Sequence, residues 1–169
     1  MPKSAIEKAI EKQMKQDKQL AAKRKREEDK RARESREAAR KVAIREQAMT
    51  IVNGQPIING LRIMDDASEE VFKMILSVYE PNDERFVSGN YEIIPVAYHD
   101  SLSVEFEKLR LYGVISSPCV WINAMWEATI TPQGITYFEN KEQALKRHEE
   151  EQKQMSVGNI TNYGNIVFG

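Results

Sequence analysis

Two stretches, Leu109-Arg-Leu-Tyr-Gly113-Val-Ile115 and Ala128-Thr-Ile-Thr131-Pro-Gln-Gly134-Ile-Thr-Tyr137-Phe-Glu139, bracket the part of the chain whose reading decides the fold. Gly113 supplies the positive φ that stops a helix. Val114 and Ile115 begin a strand, and residues 118–131 read as two strands around a tight turn near Asn123-Ala124. Thr131 is placed to cap a helix that Pro132 opens at its first position. That helix runs through Tyr137 and Phe138 to about Gln154. Working upstream, a helix over about 100–112 turns Leu102, Phe106 and Leu109 inward, with Val104 beside them. Residues 86–98 are apolar but mixed in pattern, interrupted by Gly89 and Pro95. Asp65, Asp66 and Ser68 offer N-caps for a helix over about 67–80, whose apolar face is Val71, Phe72, Ile75, Leu76 and Tyr79. Pro81-Asn-Asp ends it. Before that lie two Asn-Gly turns, at 53–54 and 59–60, flanked by Ile and Val that suit short strands or a hairpin.

Together, the helix ending at Gly113, the strand pair and the Thr131-Pro-Gln-Gly134 helix start resemble the winged-helix domains of bacterial regulators. The resemblance covers residues 66–140. It implies a winged-helix domain with a C-terminal helix over 66–154, with helix 100–112 in the recognition-helix place and Ile122 to Trp126 as the wing tip. In such proteins the first turns of that helix face the major groove, and Arg–guanine and Lys–phosphate contacts do the reading. Here the corresponding surface offers His99, Asp100, Ser101, Ser103 and Glu107, with no cation before Lys108. The wing, Trp121-Ile-Asn-Ala-Met-Trp126, is apolar. Trp121, Met125 and Trp126 are therefore candidate protein-interaction residues, the alternative for the tryptophans being closure of a small core.

The N-terminal 50 residues have a different character. Ser4 and Glu7 form a capping box, and no Gly or Pro follows until after Met49. Ala, Glu, Lys, Arg and Gln dominate, all good helix formers. One helix of about 46 residues would be roughly 69 Å long, too long to bury itself in a small domain. Ile6, Ile10 and Met14 share a face that Leu20 and Ala21 extend. Between Lys23 and Glu37 the sole apolar residue is Ala32. Ala38, Ala39, Val42, Ala43, Ala48 and Met49 then resume a stripe, with Ile44 off it. The middle reads as a solvated, charge-laced helix, and each end suits a partner, either another copy in a coiled coil or another protein.

Charge divides the chain the same way. Residues 1–50 carry 16 basic and 9 acidic residues, net +7; residues 51–140 carry 5 and 13, net -8; residues 141–169 carry 4 of each. Lys23-Arg24-Lys25-Arg26 is the conspicuous basic cluster. It reads as a solvated helix face with local ion pairs, or as a sequence-independent, salt-sensitive phosphate contact, or as a dock for the acidic body.

The last residues, 155–169, repeat Gly-Asn-Ile with a period of six: Ser156-Val-Gly-Asn-Ile-Thr161, then Asn162-Tyr-Gly-Asn-Ile-Val167. In an extended chain six is an even step, so Val157 with Tyr163, and Ile160 with Ile166, fall on one side. With Phe168 these are the candidate self-assembly residues of a short β-repeat tail, pairing edge to edge between copies. A disordered polar tail is the alternative.

Several functions are disfavoured. No apolar run approaches the roughly 18–20 residues of a membrane span, and no secretory signal is visible. Cys119 alone makes neither a disulfide framework nor a Cys-based zinc cluster, and two histidines leave little for a metal. His99, Asp100, Ser101 and Ser103 are triad residue types, but neighbours on a helix do not face one another, and no nucleophile elbow or phosphate loop is present. No catalytic residue, cofactor or metal is expected. The fold expectation is α+β: a long N-terminal helix over 1–50, a turn-rich strand linker over 51–65, a winged-helix body, and the β-repeat tail. The function expected is a non-enzymatic, oligomerising protein-interaction module, likened in plan to small phage or mobile-element accessory proteins of bacteria. The alternative is a DNA-binding transcriptional regulator with a basic N-terminal arm. Either is cytoplasmic, with a homo-oligomer and a protein partner as the interactions and no membrane.

Overall fold

A computed structural model describes residues 4–123 and 125–164, with the backbone alone described for 158–164. The architecture is mixed α+β, and the chain divides into two compact units, Met1–Ala43 and Ile44–Gly169.

The first unit is the bulk of helix α1, Ala5–Asn53. The capping box forms: the Ser4 backbone N–H donates to Glu7 at 2.8 Å, and the Glu7 N–H to Ser4 Oγ at 3.3 Å. From Ala5 to Ala43 every side chain is exposed. The helix is held by its backbone ladder, by propensity, and by pairs such as Glu37–Lys41, each contributing a few tenths of a kcal/mol.

The second unit begins inside α1, where Ala48 and Val52 are buried. Ile51 and Val52, expected as extended, belong to the helix. The first Asn-Gly ends that helix. The second makes the turn of a hairpin between β1, Ile57–Ile58, and β2, Leu61–Arg62. Asn59 and Gly60 have φ of 49° and 81°, the two positive values a two-residue type I′ turn demands. Arg62 reaches back to donate to the carbonyls of Val52 at 2.9 Å and Gln55 at 3.3 Å, placing a cation at the negative end of α1.

Next come α2, Asp66–Ser77, capped by Asp65; β3, Phe86–Asn90; two 3₁₀ turns, Tyr91–Ile93 and Val96–Tyr98; α3, Leu102–Leu111; β4, Ile115–Val120; β5, Met125–Ile130; and α4, Pro132–Gly164. The three strands form an antiparallel sheet in the order β3-β5-β4. One sheet face, with Val87, Trp126, Ala128 and Ile130, packs with Val71, Phe72 and Ile75 of α2, with Leu102, Phe106 and Leu109 of α3, and with Tyr137 of α4 in one core. Gly113 has φ 77° and its carbonyl accepts from Thr131 Oγ1 at 2.5 Å. The same Oγ1 accepts from the Gly134 N–H at 3.0 Å, so one threonine caps α4 and ties it to the end of α3. A Cβ on Gly134 would lie 2.2 Å from the Val114 carbonyl oxygen, and glycine alone allows this approach.

The expected β-repeat tail is corrected. Instead of ending near Gln154, α4 runs unbroken to Gly164, so Val157, Ile160 and Tyr163 occupy helical positions. Extending an existing helix adds a hydrogen bond for each residue fixed, whereas a lone strand leaves its backbone groups unpaired. That difference outweighs the cost of about 1 kcal/mol for a glycine in a helix interior. On a helix, positions six apart are a third of a turn away from one face, so the hexad no longer aligns Val157 with position 163. Ile166 and Phe168 lie outside the described residues.

Candidate functional site

The sheet alternates, and alternation separates the two tryptophans. Trp126 faces inward with Ala128 and Ile130 and is 0 % exposed. Its indole N–H donates to the Asn90 carbonyl at 2.7 Å, and its ring centroid lies 5.5 Å from that of Phe106. A Cβ on Gly89 would come within 2.6 Å of the indole; the glycine that interrupts β3 makes room for this ring. Trp126 is thus a core residue, and its place as an interaction candidate is withdrawn. At the β4–β5 tip the opposite holds. Trp121 is 42 %, Ile122 97 % and Met125 44 % exposed, and the Trp121 N–H donates to the Met125 carbonyl at 2.9 Å. The ladder thus continues to the base of the turn and fixes an apolar tip. β4 reaches it through an irregularity between Ser116 and Cys119, with Ser117 at φ 49°.

α3 presents little to solvent. Six of its ten residues, Leu102, Val104, Glu105, Phe106, Lys108 and Leu109, are buried. Both of its cations are engaged. Lys108 Nζ lies 2.9 Å from Asp65 and 2.8 Å from Glu105, with its side chain 3 % exposed. Arg110 makes a bidentate pair with Glu107, at 2.5 and 2.8 Å. Asp65 also accepts from Ser68 Oγ at 2.8 Å and Tyr112 Oη at 2.9 Å. Burial alone would raise the Asp65 carboxyl, but the hydrogen bonds from Lys108, Ser68 and Tyr112 outweigh it and hold the group below its ordinary value. Burial pushes Glu105 upward and Lys108 only partly offsets this. Burial likewise raises the phenols of Tyr112 and Tyr137. Tyr137 accepts from the Met64 N–H at 2.7 Å and donates to Glu69 at 3.2 Å, which also binds Lys141. Sequence reasoning missed this network. One available signal was that Glu105, Lys108 and Tyr112 follow Val104 and Leu109 around the inward side of α3. Every polar group in it is partnered, and it joins α2, α3 and α4; its chemistry is that of a structural clasp.

The triad residue types are not brought together. His99 Nε2 sits 2.8 Å from the Ile94 carbonyl and 3.2 Å from that of Tyr91. Ser101 Oγ lies against the Tyr98 carbonyl at 3.5 Å. Cys119 is half-buried. Among the described residues no group of His, Cys, Asp and Glu is placed to hold a metal ion, and no helix is long and apolar enough to cross a membrane.

Lys23, Arg24, Lys25 and Arg26 are all exposed on α1. Four consecutive helical positions sweep about 300° around the axis, so this run is a cationic collar rather than a one-sided patch. Val157 is exposed on α4.

Comparison with protein-family models, curated proteins and solved structures finds no match to the chain.

Proposed function

We propose that this chain is a non-enzymatic, oligomerising protein-interaction module acting in the cytoplasm, with a winged-helix body and an α-helical arm for self-association. The body's order of helix, strand, short turns, helix, strand, strand, with the last strand central in the sheet, supports the winged-helix reading. In that reading α3 takes the recognition-helix place and the β4–β5 turn is the wing. One observation carries the choice of protein over DNA: both cations of α3 are spent on carboxylates of the body, while the wing exposes Trp121, Ile122 and Met125. A helix reading DNA needs cations facing the groove, whereas aromatic and methionine side chains suit a protein interface. The single cysteine suits a reducing compartment.

A second reading, a DNA-binding regulator with a basic arm, rests on the exposed Lys23–Arg26 collar. An electrophoretic shift assay on the full chain at low and physiological salt separates the two. The protein-module reading expects no sequence-selective shift and loss of any shift at the higher salt. A selective complex that survives physiological salt would overturn it in favour of the regulator.

A further inference from the structure

The arm carries a second pattern beneath its charge. From Ile10 to Val42 the positions 10, 14, 17, 21, 24, 28, 31, 35, 38 and 42, spaced alternately by four and three, form one line along α1 that is apolar at Ile10, Met14, Ala21, Ala38 and Val42. That is the 3.5-residue period of a coiled-coil seam. Every position on it is exposed, including the bulky Ile10, Met14 and Val42. Its ends are apolar, and its middle holds Asp17, Arg24, Glu28 and Arg31.

We propose that α1 pairs with α1 of a second copy in antiparallel orientation, in the register where facing residues sum to 52. This rests on the self-association reading and specifies how it occurs. In that register Ile10 faces Val42 and Met14 faces Ala38, so apolar meets apolar at both ends. Arg24 faces Glu28 at the centre, twice by symmetry. Asp17 faces Ser35. Arg31 faces Ala21, whose small side chain leaves room for the arginine stem to lie along the seam and its head to reach water. No layer holds like charges.

The alternatives are worse on the same residues. A parallel, in-register pair sets Asp17, Arg24, Glu28 and Arg31 each against its own copy, four like-charge layers in the seam. An antiparallel pair slipped by one heptad, to a sum of 45, sets Asp17 against Glu28 and Ile10 against Ser35. Slipped the other way, to 59, it sets Met14 against Arg45 and Asp17 against Val42. Like-charge layers therefore count against the parallel pair and the sum-45 register, and charges set against Met14 and Val42 count against the sum-59 register. Residue 43, where each arm ends, lies opposite residue 9, so the two exits are about 51 Å apart at 1.5 Å per residue.

Spin-label distance measurement on the full chain tests this. On a Cys119→Ser background, Lys12→Cys and Arg26→Cys place labels on the side of α1 away from the seam. In the proposed register the two copies of residue 12 lie 28 residues apart along the axis, about 42 Å. The copies of residue 26 lie level, separated by little more than the ~10 Å between axes plus the label arms. A separation of about 42 Å along the axis at position 12, with a distance below about 30 Å at position 26, supports the inference. Short distances at both positions mean a parallel pair, and a separation along the axis of about 32 Å or about 52 Å at position 12 means the register slipped to 45 or to 59; each overturns the inference while leaving self-association intact. Absence of dipolar coupling together with a monomer mass at 100 µM overturns both.

Discussion

The arm and the body solve opposite problems with the same residue types. In the arm, Lys and Glu stand in water along α1; Lys30 with Glu34 and Lys41 with Glu37 are exposed on both sides, and such pairs contribute at most about 1 kcal/mol. In the body, Lys108 lies between Asp65 and Glu105 almost without solvent, where losing one partner strands a buried charge. The lesson is that a charge is read from what surrounds it. The body uses ion pairs to fix three helices against a sheet, while the charges of the arm stay exposed along α1.

The largest test of that contrast is Lys108→Ala. It leaves the Asp65 and Glu105 carboxylates buried without their cation and should cost about 3–5 kcal/mol in urea unfolding of the full chain. Lys25→Ala in the arm should stay within about 0.5 kcal/mol. Equal effects would erase the distinction between the two regions. Next in size is Gly89→Ala, which drives a methyl into the Trp126 ring. Overpacking of this kind costs about 1–3 kcal/mol, visible as a lower thermal midpoint with loss of near-ultraviolet tryptophan ellipticity. An unchanged melt would mean that the indole has room to move.

The pH dependence is smaller and has two signs. Glu105 is raised on folding, so its buried charge opposes folding at neutral pH, and that opposition fades as pH falls through its raised value toward its ordinary 4.5. Asp65 is lowered, so its stabilisation is present above its ordinary 3.8 and is lost as pH falls through the lower folded value. Stability should therefore hold or rise slightly on mild acidification and drop below about pH 4. A monotonic decline from pH 7, measured by denaturant midpoints in Lys108-containing chain, would contradict these directions.

What could be read from sequence was local. The Ser4–Glu7 box, the Asn59-Gly60 turn, the Gly113 stop and the Thr131 cap each lie within a few residues of what they control. Val71, Phe72 and Ile75 announced their helix face by period. The clasp was hidden because Asp65 and Lys108 meet across 43 positions, and a charge on a helix reads as solvated until its neighbours in space are known. Trp126 was legible in part: Trp126, Ala128 and Ile130 alternate with Glu127 and Thr129, which marks an inward face, yet a short apolar run masks that period. The tail misled because a six-residue repeat fits strand geometry, while the cheaper extension of α4 depends on a helix that starts 23 residues upstream of Met155.

Self-association through the arm is the central claim, and sedimentation velocity tests it most directly. The full chain and its Ile10→Asp, Val42→Asp double variant would be compared across 1–100 µM, a range of about two decades around typical transient affinities. Removing the apolar layers at both ends of the seam leaves the buried body untouched, so the expected result is a dimer for the parent chain and a dissociation constant at least about tenfold weaker for the variant. A parent chain that sediments as a monomer throughout, or a variant that associates as tightly as the parent, would contradict the claim.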